Sequence, residues 1–298
     1  MEKTANNWQN MGSMRLAIIV FVLPLYAPAQ TALQRQISAI AAEAHGKVSV
    51  ACSLPGTTLK CDLNPQAHPP MQSVFKLPLA VAALSQGEHG RLSLDQTIRF
   101  RSSDRILPRT YSPLQEKYPE GEVDLPLREF LRMAVSVSDN VAADIVLRTV
   151  GGPKVVEGYV RSLGIRGFHL QDSEAALHHD ERLQYRNWFE PAGAVQLLQR
   201  LSANSALSAE HTQLVLDWMR DTSRAPKRIK GALPAGTIVM HKPGTSDAAT
   251  NDIGLITLPD GRRLAIAIFL TDCTASDEVR DSVVARIARA AYDVAIAK

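Results

Sequence analysis

Residues 72–76, Gln-Ser-Val-Phe-Lys, are the stretch from which the fold of this chain can be predicted. They open an apolar segment that predicts a helix over 74–85, with Ser73 at its N-terminus. Lys76 lies one turn beyond Ser73 on the same helix face, so it can reach the hydroxyl. A serine becomes a useful nucleophile only when a neighbouring group takes its proton, and a helix N-terminus favours the developing negative charge. Alone, this spacing is far more often that of an N-cap serine with a surface lysine.

Three further motifs follow along the chain. They are Ser-Asp-Asn at 138–140, Asp-Ser-Glu-Ala-Ala-Leu-His at 172–178 and His-Lys-Pro-Gly at 241–244. Each is common by chance, but the four motifs in this order and at these spacings resemble the class A serine β-lactamases. The resemblance covers essentially all of 30–298. It implies hydrolysis of the β-lactam amide of penicillins and cephalosporins, and hence antibiotic resistance.

The order of the predicted elements indicates an α/β chain of the α+β type. Strands are expected at 48–53 and 58–63, around a Pro-Gly turn, and at 237–241, 253–258 and 264–271. Helices are expected at 31–45, 74–85, 126–135, 141–150, 153–163, 191–201, 209–221 and from 276 to the end. With the resemblance, this predicts a five-stranded antiparallel sheet flanked by terminal helices, and an all-helical lobe. The active site would lie in the cleft between a sheet lobe (30–70 and 223–298) and the helical lobe (71–222).

The N-terminus has the parts of a secretory signal peptide over 1–29. Basic residues precede an apolar stretch at 16–25, and Ala-Pro-Ala at 27–29 is a small-residue cleavage site. Met11 or Met14 is an alternative start. Ten apolar residues are too few to span a bilayer, so no stable membrane association is expected. The protein is expected to be exported, to the periplasm or beyond the cell.

The charge and the motif content of the sequence limit the classes of partner and cofactor that the protein is expected to bind. The net charge of +3 is small and the basic residues are dispersed, which argues against nucleic acid. The sequence has no Gly-x-Gly-x-x-Gly, phosphate loop or His-Glu-x-x-His motif, so no metal or organic cofactor is implied. The expected partners are small-molecule β-lactams, and the protein is expected to be a monomer.

The three cysteines leave two interpretations open. Cys52 and Cys61 flank the predicted Pro-Gly turn, and export would permit a disulfide across it. The alternative is that these two and Cys273 are small buried apolar side chains.

The resemblance assigns roles to the first two motifs. Ser73 would be the nucleophile and Lys76 its neighbouring base, with Glu174 the other candidate for taking its proton. Ser138 would relay a proton to the leaving β-lactam nitrogen, and Asn140 would hold the substrate's side-chain amide. Asp139 would be structural, tying the backbone of its own turn.

The fourth motif and the residues after it would bind the substrate carboxylate and the oxyanion. Lys242, at the end of the strand, would attract the carboxylate, and the backbone N–H groups of Ser73 and Thr245 would form the oxyanion hole. Gly244 lies between these groups. Pro243 replaces the usual threonine or serine, so one hydroxyl is lost; proline is tolerated there if the strand is an edge strand. We expect Thr245 and Ser246 to take over the carboxylate.

The third motif separates acylation from deacylation. In class A enzymes the glutamate at this position holds the water that hydrolyses the ester, which assigns this role to Glu174. His178 stands where an asparagine usually helps to hold that water. Asp144 stands where an asparagine usually braces the loop, and Asp172 and Asn187 stand where most members have an arginine–aspartate bridge.

These departures resemble the PER-type extended-spectrum branch of the family. They predict a rearranged loop and a roomier site that accepts oxyimino-cephalosporins. Tyr111 matches the family's aromatic residue at the entrance to the site. The arginine that often binds the carboxylate after the lysine is absent, and Arg228 or Arg280 could substitute for it.

Three other functions remain open at this level. A penicillin-binding DD-peptidase would share Ser73, Lys76, Ser138 and Lys242 but would keep a long-lived acyl-enzyme without needing Glu174. A β-lactam-sensing receptor domain would need transmembrane segments or a fused effector. A slow or degenerate hydrolase is compatible with the changes at 178 and 243.

Overall fold

The computed structural model describes Met1, residues 31–108 and residues 110–297. The predicted signal peptide and its cleavage site lie outside the described residues. The compact unit that contains all the described elements begins at Thr31. Within the described ranges, no helix is both long and apolar enough to cross a membrane.

The main sheet of the described residues is antiparallel and has four strands: β1 (Lys47–Ser53), β6 (Val239–Ser246), β7 (Ala249–Thr257) and β8 (Arg263–Thr271). Their order across the sheet is β1-β8-β7-β6. Strand β6 is therefore an edge strand, the position in which a sheet tolerates Pro243. The predicted end of this strand at residue 241 was wrong. The strand continues to Ser246, so Lys242 lies in its middle.

The prediction of a fifth strand at 58–63 was wrong. That segment meets the sheet at one bridge, in which Leu63 and Val50 exchange backbone hydrogen bonds of 2.7 and 3.0 Å. Asn64 then turns into the left-handed region (φ 48°), and Pro65 has no N–H to continue a ladder. A disulfide joins Cys52 to Cys61, with the Cα atoms 5.7 Å apart, which decides between the two interpretations of these cysteines.

The eight predicted helices are present in the predicted order, and two short helices, at 113–117 and 174–179, were not predicted. Among the described residues they are α1 (Ala32–Ala42), α2 (Lys76–Glu88), α3 (Pro113–Lys117), α4 (Leu127–Arg132), α5 (Asn140–Val150), α6 (Pro153–Ser162), α7 (Glu174–His179), α8 (Pro191–Ser202), α9 (Ala209–Arg220) and α10 (Asp277–Ile296). The expected N-cap of the last helix is confirmed, because the Ser276 side chain accepts from the backbone N–H of Val279.

Three further local structures near the site were not predicted. Helix α4 passes into a π-helical turn at Met133–Val137 instead of continuing as an α-helix to residue 135. A two-stranded ladder pairs β2 (Thr97–Phe100) with β3 (Val123–Pro126). Another pairs β4 (Phe168–His169) with β5 (Trp188–Phe189).

The core lies on both faces of the main sheet, as strand β8 illustrates. Its residues 264, 266, 268 and 270 join one apolar cluster with α1 and α10, whereas residues 265, 267 and 269 join a second cluster with the central helices. This alternation follows from the two-residue period of a strand buried on both faces. The boundaries of the two lobes stay a prediction.

Candidate active site

The nucleophile turn is a 3₁₀ segment, Gln72–Phe75, that runs directly into α2. Lys76 begins that helix and is fully buried. Its Nζ donates to Ser73 Oγ (3.0 Å), to the backbone oxygen of Ser138 (2.8 Å) and to Asn140 Oδ1 (2.6 Å). It also lies 2.9 Å from Glu174 Oε1. The lysine therefore touches residues from three of the four motifs.

The turn at 138–140 is held by Asp139. Ser138 ends the π-helical turn in the left-handed region (φ 64°), and the buried Asp139 caps α5 by accepting from the Ala142 N–H at 2.8 Å. The same carboxylate accepts from Ser112 Oγ (2.8 Å) and from the Leu114 N–H (2.7 Å). Burial raises the pKa of Asp139, and these hydrogen bonds oppose the rise. The expected structural role of Asp139 is confirmed, and it extends to the segment that follows Tyr111.

Lys242 approaches the same turn from strand β6 and is fully buried. Its Nζ donates to Ser138 Oγ at 2.8 Å and to the backbone oxygen of Pro243 at 3.1 Å. Burial lowers the pKa of Lys242 well below its usual value, and the positive charge of Lys76 lowers it further. Ser138 therefore contacts both lysines, one through its carbonyl and one through its hydroxyl.

Strand β6 passes so close to the nucleophile turn that only glycine fits at position 244. A Cβ added to Gly244 would lie 2.6 Å from the backbone oxygen of Met71 and 3.2 Å from the backbone N of Ser73. Real Cβ atoms do not approach backbone oxygen that closely, so any side chain would push the strand away. Thr245 follows and is exposed, and Ser246 ends the strand.

The loop that carries Glu174 is braced by two side chains. Asp144 Oδ1 accepts from the Glu174 N–H and Oδ2 accepts from the Ala175 N–H, both at 2.8 Å. Asn187 Oδ1 accepts from the N–H groups of Gln171 (2.8 Å) and Asp172 (2.9 Å). The carboxylate of Asp172 pairs instead with Arg186, at 3.1 Å.

Glu174 itself is buried, and its negative charge affects the pKa of Asp144. Burial, followed by the negative charge of Glu174, raises the pKa of Asp144 to about 6. His178 lies one turn further along α7 and is exposed.

One cavity of about 390 Å³ collects most of the predicted residues. Those that line it are Ser73, Tyr111, Ser138, Asn140, Glu174, His178, Thr245 and Ser246. Three of the predicted residues do not line the cavity: Lys76, Lys242 and Gly244. They lie behind the lining residues and influence them through the contacts given above. Arg228 lines the cavity, whereas Arg280 does not; Arg280 contacts Asp277 and the backbone oxygen of Asp247.

Several lining residues were missed by the sequence interpretation. Gln184 Oε1 accepts from Gln72 Nε2 (2.5 Å) and from Ser246 Oγ (2.8 Å). The guanidinium of Arg224 lies 4.4 Å from the centre of the Tyr111 ring, a cation–π contact. Neither Gln184 nor Arg224 belongs to a motif, and their partners are distant in sequence, so no local signal could have identified them.

Comparison with known proteins agrees with this geometry. A model of the beta-lactamase enzyme family matches residues 32–295. The chain is 38% identical, over 89% of its length and 88% of the relative's, to the extended-spectrum beta-lactamase PER-1 of Pseudomonas aeruginosa. It is 34% identical to the beta-lactamase VEB-1 of the same organism, over 92% of this chain and 94% of VEB-1.

Solved structures give the same result. The crystal structure of a beta-lactamase from Chitinophaga pinensis superposes with a TM-score of 0.86 at 42% identity, covering 89% of this chain and all of the other. That of the TLA-3 extended-spectrum beta-lactamase superposes with a TM-score of 0.85 at 36% identity, covering 89% of this chain and 98% of the other. The chain therefore belongs to the beta-lactamase enzyme family, as a class A serine β-lactamase of the PER-like type.

Proposed function

We propose that this enzyme opens the β-lactam ring through a covalent ester on Ser73. The observation that supports this most is the position of Lys76 Nζ, which contacts both Ser73 Oγ and Glu174 Oε1. Lys76 can therefore give a proton to Glu174 first, and its neutral amine can then take the proton of Ser73, each transfer through a single contact. Attack of Ser73 Oγ on the lactam carbonyl carbon forms a tetrahedral oxyanion. Collapse of this intermediate breaks the ring C–N bond and leaves the ester.

The oxyanion is held by the backbone N–H groups of Ser73 and Thr245. Each such donor is typically worth about 3–4 kcal/mol of transition-state stabilisation. The close passage of Gly244 beside the Ser73 backbone N supports this pairing, because it brings the next residue of β6 to the mouth of the nucleophile turn.

The leaving nitrogen receives its proton from Ser138 Oγ. Lys242 Nζ, which donates to that oxygen at 2.8 Å, then replaces the proton, a transfer favoured by the lowered pKa of Lys242. Lys76 contacts the carbonyl of the same residue and keeps its backbone in place.

The substrate carboxylate binds beside Lys242 and Thr245. The hydroxyl hydrogen of Ser246 is engaged by Gln184, so Ser246 can contribute only by giving up that bond. Arg228 lines the cavity, but its Nη1 donates to the backbone oxygens of Gly244 and Asn251, and its Nε donates to Asp281. Its part is therefore to hold β6 and to add positive charge.

Deacylation uses a water held by Glu174. Before this step Glu174 loses the proton it received in acylation to solvent, and Lys242 regains one from solvent. The carboxylate then accepts a proton from the water, whose oxygen attacks the ester carbon. As the bond to Ser73 Oγ breaks, that oxygen takes a proton from Lys76, which Glu174 replaces. His178 lines the same cavity and replaces the usual asparagine as the second partner of the water. Asp144 supports this role, because one of the two hydrogen bonds that it accepts from the loop anchors the backbone N–H of Glu174 itself.

The substrate range includes oxyimino-cephalosporins. Asn140 binds the side-chain amide of the substrate, and Tyr111 forms one side of the entrance. The printed name of PER-1 assigns an extended spectrum to that relative, and the replacement of the arginine–aspartate bridge by Asn187 supports the same range here. Measurable turnover of cefotaxime is the expected result.

The enzyme works outside the cytoplasm as a monomer. The signal-like stretch at 1–29 and the Cys52–Cys61 disulfide both support export, because disulfides persist in oxidising compartments.

The test is burst kinetics with nitrocefin on the wild type, Glu174→Ala and Glu181→Ala. Glu181 is a matched control, because it lines the same cavity without contacting Lys76. We expect sustained turnover in the wild type and Glu181→Ala. In Glu174→Ala we expect a single stoichiometric burst that rises more slowly, because the acceptor of the Lys76 proton is lost as well as the residue that holds the hydrolytic water. A lone burst in all three proteins would indicate a penicillin-binding or sensing domain instead.

A further inference from the structure

A single amide oxygen joins three separate parts of the site. Gln184 lies in the 3₁₀ helix Glu181–Arg186, beyond α7, and is 7% exposed. Its Oε1 accepts one hydrogen bond from Gln72 Nε2 (2.5 Å) and another from Ser246 Oγ (2.8 Å). An amide oxygen has two lone pairs, so both of its acceptor positions are used.

The two donors are the chain neighbours of the proposed oxyanion hole. Gln72 immediately precedes Ser73, and Ser246 immediately follows Thr245. One oxygen therefore holds the side chains of the two residues next to the N–H donors, Gln72 beside Ser73 and Ser246 beside Thr245. No other side chain of the described residues contacts both of these neighbours through hydrogen bonds.

Both Gln72 and Ser246 need such an anchor. The backbone of Gln72 is in the left-handed region (φ 49°), which is costly for a residue with a side chain and persists only when its surroundings hold it. Ser246 is the last residue of the edge strand β6, where the ladder to β7 ends. Without an anchor, the strand end could move away from the nucleophile turn.

We propose that Gln184 is a positioning residue that sets the separation of the Ser73 and Thr245 N–H groups. This inference rests on the oxyanion hole proposed above. It acts through the chain: Gln184 holds Gln72 and Ser246, and these hold the two donors at the distance that the tetrahedral oxygen requires.

A purely structural role in the Glu174 loop makes a different prediction. That loop has its own braces in Asp144 and Asn187, which bond its backbone directly. A loosened loop impairs deacylation most, because Glu174 holds the hydrolytic water, and it slows acylation only through proton transfer. It leaves the hydrogen bonds of the oxyanion hole intact. A widened oxyanion hole slows acylation and deacylation together, because both steps pass through a tetrahedral oxyanion.

The test compares Gln184→Leu, which removes the acceptor, with Gln184→Glu, which keeps an acceptor oxygen. Asn187→Ala is the control for a loosened loop. Acylation and deacylation rate constants come from stopped-flow measurements with nitrocefin. The ester carbonyl stretch of the acyl-enzyme, measured by infrared difference spectroscopy with a slowly released cephalosporin, reports the hydrogen bonds of the oxyanion hole directly.

We expect Gln184→Leu to lower both rate constants about 10- to 100-fold and to move the carbonyl stretch to higher wavenumber. In Gln184→Glu both rate constants should return most of the way to their wild-type values. Asn187→Ala should lower deacylation more than acylation and leave the stretch in place. If Gln184→Leu behaves like Asn187→Ala, or like the wild type, the inference is wrong.

Two further variants protect the test against misfolding. Gln72→Leu and Ser246→Ala each remove one donor to the same oxygen, and each should move the stretch part of the way. An unshifted stretch in both would also overturn the inference. Failure of the proposed function would look different, since a wild type that forms no ester on Ser73 gives no acyl-enzyme stretch at all.

Discussion

Asp144 is a buried acid whose charge opposes folding, and Asp144→Asn tests this directly. The carboxylate accepts two backbone N–H groups, which stabilises its charged form. Burial and the nearby charge of Glu174 work in the opposite direction and prevail, because together they raise the pKa from 3.8 to about 6. In the unfolded chain the same group returns to its ordinary pKa.

The sign of the pH dependence follows from this shift. Between pH 3.8 and pH 6 the folded protein holds a proton at Asp144 that the unfolded chain has released. The contribution of Asp144 to the free energy of unfolding is therefore complete below pH 3.8 and is lost as the pH rises through 6. The full shift corresponds to about 3 kcal/mol, of which about 2 kcal/mol falls between pH 4.5 and pH 7.5.

Asparagine cannot titrate, so the variant lacks this pH-dependent part. It also leaves one loop N–H without an acceptor, a loss of about 1–3 kcal/mol that is the same at both pH values. Relative to the wild type, Asp144→Asn should therefore be about 2 kcal/mol more stable at pH 7.5 than at pH 4.5. Urea unfolding at the two pH values measures this double difference.

Asn187→Ala is the matched control. It removes the other brace of the same loop without removing a titratable group, so its effect on the free energy of unfolding should not change with pH. A pH-independent difference between Asp144→Asn and the wild type would refute the argument, because it would mean that Asp144 carries no raised pKa in the folded protein.

Three other changes have defined outcomes. Gly244→Ala should lower nitrocefin kcat/KM by about 100-fold or more, because the new Cβ would lie 2.6 Å from the backbone oxygen of Met71 and displace an oxyanion donor. The control is Gly158→Ala in α6, where a new Cβ meets nothing within 4 Å. This variant should keep full activity and gain about 0.5–1 kcal/mol of stability. Cys61→Ser should lower the Tm by roughly 5–10 °C, since opening a loop closed over nine residues costs about 2–3 kcal/mol. A reductant should lower the wild-type Tm by a similar amount and leave Cys61→Ser unchanged. Thr245→Val should raise the nitrocefin KM about tenfold through loss of one hydrogen bond to a charged group, while Thr245→Ser keeps the wild-type value; an unchanged KM in Thr245→Val would show that the hydroxyl does not bind the carboxylate.

Most of the fold was predictable because its signals are local. The apolar run of β8, the N-caps of the helices and the glycines that end them are each recognised from residues that are neighbours in the sequence. The fifth strand was a wrong prediction because pairing is not local. Residues 58–63 have strand-like composition, but only Leu63 forms a bridge to β1, and the Asn-Pro step that follows stops the ladder from continuing beyond it.

The site divides in the same way. The motif residues could be found because their chemistry requires particular types at fixed spacings, and even the brace on Asp144 could be anticipated from its position. Gln184 and Arg224 could not, since each acts through a partner that is far away in the chain. Nor could the extension of β6 through Lys242 be predicted, because Pro243 argues against a strand unless the strand is known to lie at an edge.

The left-handed backbone of Ser138 explains why the helix before it has to change form. An α-helix that continued past residue 135 would keep the carbonyl and the side chain of Ser138 in helical directions. The π-helical turn instead lets the Ser138 N–H bond back to the Met133 oxygen and releases the residue at φ 64°. In that conformation its carbonyl meets Lys76 and its hydroxyl meets Lys242, each at 2.8 Å. Two buried lysines can then contact different atoms of one serine, and this is the arrangement on which the proposed proton relay depends.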